Sequence, residues 1–140
     1  MFQALKGCYL LVLHLPEDRA IRIGKLGTFE FKAGYYAYVG SGMNGLEHRV
    51  RRHFLPTKKR HWHIDFLLDR AKPLEAVLFP SEERKECELN EFMQLMPGSE
   101  PVIDGFGSSD CYCASHLHRL SCETLSILRR TFASLPWLRR

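Results

Sequence analysis

At 140 residues, 45% hydrophobic and 26% charged, the chain has the size and make-up of one globular domain burying roughly two-thirds of its unfolded surface. Disorder, collagen, coiled coil and a second large domain are excluded. The longest apolar run, residues 8–15, is broken by His14 and followed by Glu17 and Asp18. It is far short of the ~20 residues of a membrane span, and no small-residue cleavage site follows it as in a signal peptide. A cytoplasmic protein that makes no membrane contact is expected.

Only Cys111 and Cys113 of the five cysteines are close in sequence, which suits reduced thiols or metal ligands better than a secreted disulfide framework. The net charge of +4 hides clustering: Arg49, Arg51, Arg52, Lys58, Lys59 and Arg60 share a stretch whose only acid between positions 46 and 61 is Glu47. A second basic knot, Arg129, Arg130, Arg139 and Arg140, ends the chain. Such clusters meet polyanions such as nucleic acid, or simply face water.

In chain order, residues 8–14, 20–24, 28–32 and 35–40 read as short strands rich in β-branched or aromatic residues, most simply joined as an antiparallel meander. From 44 to 54 the period turns helical, with Leu46, Val50 and Phe54 forming a buried seam, and Pro56 ends the segment. A second helix is expected at 61–69 and a strand at 74–79. Residues 82–96 read as a helix with Leu89, Phe92, Met93 and Met96 on one stripe and Ser81 as its N-cap. Residues 101–120 are ambiguous between loop and strand, and 123–135 reads as a last helix.

Tyr9 stands in the first strand and Tyr38 in the fourth, and the next helix carries Arg49 and His53 at i, i+4 on one flank of its apolar seam. These two would edge a cleft, with His48 and Arg52 on the outer face, placed for phosphates or for water. On the later helix Glu86 borders the apolar stripe. Glu82 is its chief rival as a metal ligand, Glu88 lies behind that, and Glu91 points outward. One or two carboxylates plus substrate phosphate suit Mg²⁺ or Mn²⁺. His61 and His63, flanking Trp62, read equally as phosphate contacts or as a helix-start network with Asp65.

Cys111-x-Cys113-x-x-His116, with Cys87 elsewhere, could supply the three sulfurs and one nitrogen of a structural zinc site. Cys87 projects away from its helix's apolar stripe and needs a cover, for which the 111–116 loop is a candidate. Buried reduced cysteines explain the same pattern.

The ordered set Gly7-Cys8-Tyr9, Tyr38-Val39-Gly40, Arg49-x-x-x-His53 and a later glutamate resembles the GIY-YIG nuclease superfamily. Residues 34–41, the His61-Trp62-His63-Ile64-Asp65 run, Glu86-Cys87 and residues 109–117 look like the branch found alone or fused to endonuclease III-like DNA-repair glycosylases. The resemblance covers residues 4 to 120, and 121–140 is expected as a helical basic tail packed on the same domain. It implies an α+β fold, a small antiparallel sheet flanked by helices with a hairpin inserted over residues 20–32. Its activity would be metal-dependent endonuclease hydrolysis of phosphodiesters, with one Mg or Mn ion. Tyr9 would activate the attacking water, Tyr38 would assist, Arg49 would stabilise charge on the phosphate, His53 would orient or relay a proton, and Glu86 would bind the metal. Cys8 stands where the family has isoleucine, a change that a core position tolerates.

DNA, structured or damaged DNA included, is the expected partner, with RNA open and a repair glycosylase a candidate companion. Arg51, Arg52, Lys58, Lys59, Arg60, His61 and His63 are the expected nucleic-acid contacts. Two rival readings use the same residues: a nucleic-acid-binding module without cleavage, and a zinc-stabilised interaction domain working with a repair partner. Tyr9 and Glu86 separate the first rival from a nuclease, because cleavage needs them and phosphate binding does not.

Overall fold

The structure is a computed structural model and describes residues 5–56, 58–109 and 111–139. In chain order its elements are β1 (Gly7–Leu15), β2 (Arg19–Ile23), β3 (Gly27–Phe31), β4 (Gly34–Ser41), α1 (Leu46–His53), α2 (His63–Leu68), β5 (Lys72–Pro80), α3 (Glu86–Leu95), β6 (Ser99–Pro101), β7 (Leu117–Leu120), α4 (Cys122–Thr131) and β8 (Trp137–Arg139). The fold is α+β. Six strands form one antiparallel sheet in the order β6-β7-β4-β1-β5-β8, and β2 with β3 forms a separate hairpin.

The centre of the sheet explains the apolar run in the sequence. Tyr9, Leu11, Leu13 and Leu15 of β1 enter one core cluster, while Cys8 and Leu10 enter a second. A strand covered on both faces needs continuous rather than alternating apolarity. The first cluster is closed by Leu46 and Val50 of α1, Ile64 and Leu67 of α2, and Ile21, Ile23 and Phe31 of the hairpin. The second is closed by Leu89 and Met93 of α3 and Leu128 of α4. Cys8, 2% exposed, behaves there as a small hydrophobe.

The simple meander does not form. β1 pairs directly with β4, from Cys8 opposite Ser41 to Leu15 opposite Gly34, and the intervening hairpin leaves the sheet. The physical reason is burial: β4 is covered on both faces from Tyr36 to Gly40, whereas β2 buries only Ile21 and Ile23, with exposed residues alternating beside them. A one-faced ribbon fits as a flap over the first cluster, not inside the sheet.

Other boundaries move for local reasons. α3 starts at Glu86 and not at Glu82, because the amide of Ser81 continues the β1–β5 pairing by bonding to the Lys6 carbonyl. The Ser81 hydroxyl accepts from the Glu83 amide at 3.1 Å in a turn, so it is not the N-cap of α3. α2 starts at His63, since the amides of His61 and Trp62 are taken by the Asp65 carboxylate. The ambiguous 101–120 stretch yields the end of β6, a long loop and β7, and the last helix stops at Thr131. The tail then adds a strand that pairs Trp137 with Val77 and Arg139 with Glu75. No helix among the described residues is long and apolar enough to cross a membrane.

Candidate active site and metal centre

A cleft opens where β4 runs into α1. The turn between them is tight: a Cβ on Gly42 would sit 2.8 Å from the Cα of Leu46. Tyr38, Arg49, Arg52, His61, Trp62, His63, Arg84, Glu86 and Ser109 are among its lining residues. The Arg49 guanidinium lies 3.9 Å above the Trp62 ring centroid, with Arg52 at 4.6 Å. Two arginines stacked on one indole lose little further freedom when an anion arrives. The buried Nε of Arg49 has no hydrogen-bond partner among the described residues.

Glu86 is the one carboxylate on the cleft among the described residues. Its side chain is 27% exposed and lies 3.9 Å from Arg84. Its rivals point elsewhere. Glu82 pairs with Lys6 at 3.8 Å in open solvent, and Glu88 pairs with Lys85 at 3.7 Å beside a different depression that holds Cys8 and Phe79.

Tyr9 and His53 do not line the cleft; they sit behind its wall, 0% and 1% exposed. The Tyr9 hydroxyl meets His53 Nε2 at 2.6 Å. Burial, with the neighbouring Tyr38, pushes the Tyr9 phenol well above its usual range, and the opposing charge of Arg49 does not offset this. Burial also raises Tyr38 to about 12 and lowers His53 to about 3. His53 is therefore neutral and Tyr9 is protonated. The sequence expectation of Tyr9 as a water-activating base meets a hydroxyl sealed from the cleft, while Tyr38 forms part of the cleft wall.

The expected nucleic-acid contacts divide. Arg52 lines the cleft instead of facing outward: it makes a two-pronged pair with Asp65 at 2.9 and 3.1 Å and donates to the Lys59 carbonyl at 2.7 Å. Asp65, 0% exposed, also takes the His61 and Trp62 amides at 2.8 and 2.9 Å, so the helix-start network exists. His63 Nδ1 accepts from the Gly107 amide at 2.9 Å and anchors a loop. Burial lowers its pKa, favouring the neutral ring. Arg51 pairs with Glu47 at 3.6 Å, Arg60 with Asp69 at 3.1 Å, and Lys58 donates to the Leu55 carbonyl at 2.9 Å. Lys59 and His61 are exposed, and the His61 ring stands edge-on to Trp62 at 4.8 Å. The sequence reading gave Trp62 no role as the platform for both arginines. Its position between two histidines, two residues after Arg60, was the only available signal.

Behind α3 lies the cysteine cluster. The ligand atoms of Cys87, Cys111, Cys113 and His116 all lie within 4.8 Å of one another, so the cluster can hold a metal ion. Cys87 itself stays exposed, and the 111–116 loop brings its donors beside it. His116 Nδ1 donates to the Val39 carbonyl at 3.1 Å, which turns Nε2 toward Cys111 Sγ at 3.3 Å. A backbone acceptor fixing the tautomer in this way is the usual support of a metal-binding histidine. Desolvation, then the sulfurs of Cys113 and Cys111, push the Cys87 thiol up to about 12. The loop is also fastened to α3 by Asn90, which donates to the Ser115 carbonyl at 2.9 Å and accepts from His118 Nε2 at 2.7 Å.

A family model described as a domain of unknown function, DUF123, matches residues 8–136. The chain belongs to the DUF123 family. The DUF123 match takes in every cleft and cluster residue from Tyr9 to His116 and continues through α4, past residue 120 where the motif resemblance stops. No curated protein matches the chain, and no solved structure does.

Proposed function

We propose that the cleft hydrolyses phosphodiester bonds in nucleic acid, DNA foremost, in the manner the GIY-YIG resemblance implies. The observation that carries this reading is that Tyr38, Arg49 and Glu86, from three separate elements, line one cleft with the Tyr9–His53 pair packed behind it. Glu86 fits a single Mg²⁺ or Mn²⁺ ion, because it is a partly exposed carboxylate in a basic cleft that would draw a phosphate to complete the ion's oxygen ligands. Bound there, the ion would supply Lewis-acid polarisation of a phosphoryl oxygen. Arg49, held over Trp62, meets the charge that builds on the phosphate. Tyr38 offers its hydroxyl at the wall to the attacking water or a phosphate oxygen. Tyr9 and His53, both uncharged, hold the back of the wall in place.

Zinc is the assignment for the four-donor cluster, because three thiolates and one imidazole suit a closed tetrahedral zinc site. Bonds of about 2.3 Å to sulfur give tetrahedral sulfur–sulfur spacings near 3.8 Å, a small contraction from the 4.8 Å envelope. That ion would tie the first turn of α3, which carries Glu86, to the loop whose Gly107 and Ser109 wall the cleft.

One observation favours the binding-module alternative, namely that the Tyr9 hydroxyl does not reach the cleft. The deciding experiment incubates the purified chain with flapped, branched, nicked and plain duplex DNA and with RNA, in Mg²⁺, in Mn²⁺ and in EDTA. Divalent-dependent products support hydrolysis. Binding without products on any substrate supports the module.

A further inference from the structure

A second groove lies beside the cleft, across the segment that joins α1 to α2. One wall is the turn of the β2–β3 hairpin, with Arg22, Gly24 and Lys25; the other is Lys58, Lys59 and Arg60, and Phe66 of α2 completes it. Five of these seven residues are cationic and none is acidic. Arg60 has Asp69 at 3.1 Å, whereas Lys25 and Lys59 have no carboxylate partner among the described residues. Arg22 and Lys58 spend their hydrogen bonds on the carbonyls of Gly24 and Leu55, which leaves their charge uncompensated.

Packing holds the two walls together. Ile21 and Ile23 are buried in the same cluster as Leu67, and a Cβ on Gly24 would stand 3.1 Å from the Phe66 ring. Concentrating like charges in a concavity costs repulsion that a bound polyanion relieves.

The groove and the cleft are also joined. Arg52, on the cleft wall, donates to the Lys59 carbonyl at 2.7 Å. The joining segment lines the groove at Lys58 and Lys59 and the cleft from His61 onward. From Lys58 to His61 the chain reaches at most ~10 Å, which corresponds to about three base-pair steps of rise along a duplex axis at 3.4 Å each. We propose that this groove binds the phosphates of the nucleic-acid strand that continues out of the cleft, so that the inserted hairpin is a substrate clamp. The placement of the strand rests on the phosphodiester reading; the groove itself requires only a phosphate backbone.

The test is equilibrium binding without cleavage, in Ca²⁺ and across a salt series, using a duplex of about 20 base pairs and, as the short ligand, a dinucleotide with a single phosphodiester. The double variant Arg22→Ala with Lys25→Ala changes two exposed side chains and leaves the buried hairpin residues alone; thermal melts check its fold. On the long duplex its log–log salt slope should be shallower by about 1.8. On the dinucleotide, whose one phosphodiester can occupy only the cleft, slope and affinity should be unchanged, and Arg130→Ala on α4 should alter neither ligand. An unchanged slope on the long duplex, equal losses on both ligands, or an equal effect of Arg130→Ala would each overturn the clamp. Because no cleavage is read, a clamp that binds in a protein that never cuts would refute hydrolysis and leave the groove standing.

Discussion

The hydroxyl of Tyr9 and Nε2 of His53 lie 2.6 Å apart, joining the central strand to the last turn of α1 across 44 residues of sequence. Gly40 makes room for that contact. A Cβ there would fall 2.2 Å from the Tyr9 ring, a distance no packing tolerates. Gly40→Ala should therefore displace Tyr9 and destabilise the fold by at least the ~1–3 kcal/mol of ordinary overpacking. Urea denaturation of the variant checks this, and stability equal to the parent chain would show that the ring has space it does not have in this structure.

Asp65 is the second buried anchor, with Arg52 and two backbone amides on one carboxylate. Removing one partner of a buried pair leaves the other uncompensated, at about 3–5 kcal/mol. Asp65→Ala should lose that much stability by chemical denaturation. Arg52→Ala should unfold at lower urea than Lys59→Ala, because Lys59 is exposed and its side chain holds nothing.

Acid sensitivity follows from two buried histidines. Burial lowers His53 to about 3 and His118 to about 4, below the ordinary value near 6.5. The unfolded chain takes up protons below that value while the folded chain refuses them. Their contribution is thus intact above pH 6.5 and lost as pH falls toward the folded values, at up to about 1.4 kcal/mol per pH unit for each. Asp65, whose pKa is lowered in the folded chain, loses its contribution only in a lower window, below the ordinary carboxylate range. Urea midpoints should drop between pH 6.5 and 4.5. His118→Gln, which keeps a donor for Asn90, should flatten roughly half of that slope; an unchanged slope would mean that His118 is protonated in the fold.

Protein purified without chelator should carry about one zinc per chain, and Cys113→Ser should lower that content sharply. Hydrogen exchange should then rise in the 105–116 loop and the first turn of α3, the two segments that the four ligands join. Zinc-free protein with unaltered exchange in both segments would show that the thiols are simply packed there.

Much of this architecture could be read from residue order. The apolarity of residues 8–14 marked a strand though not its central place in the sheet, and the outward direction of Cys87 pointed to the 111–116 loop whose donors meet it. Pairing across the hairpin could not be read locally, since nothing in residues 20–32 tells whether they join the sheet or leave it. β8 was missed because three residues following a helix carry no period, and their strand character comes from Glu75 and Val77 on β5. The depth of Tyr9 was hidden for a similar reason: it is set by Gly40 on one strand and by α1 above, not by Tyr9's own neighbours. Arg52 looked free on a helical wheel because its partner, Asp65, lies 13 residues later on another element.

The central claim is that Glu86 serves phosphodiester cleavage in the cleft. Single-turnover cleavage at saturating enzyme, beside equilibrium binding in Ca²⁺, tests it through Glu86→Gln and Glu91→Gln, the latter exposed and outside the cleft. Glu86→Gln should slow the bound reaction by ~100-fold or more, about 2.7 kcal/mol of transition-state stabilisation, while binding nearly as well as the parent. Glu91→Gln should cleave at the parent rate. Parent-like cleavage by Glu86→Gln would contradict the account.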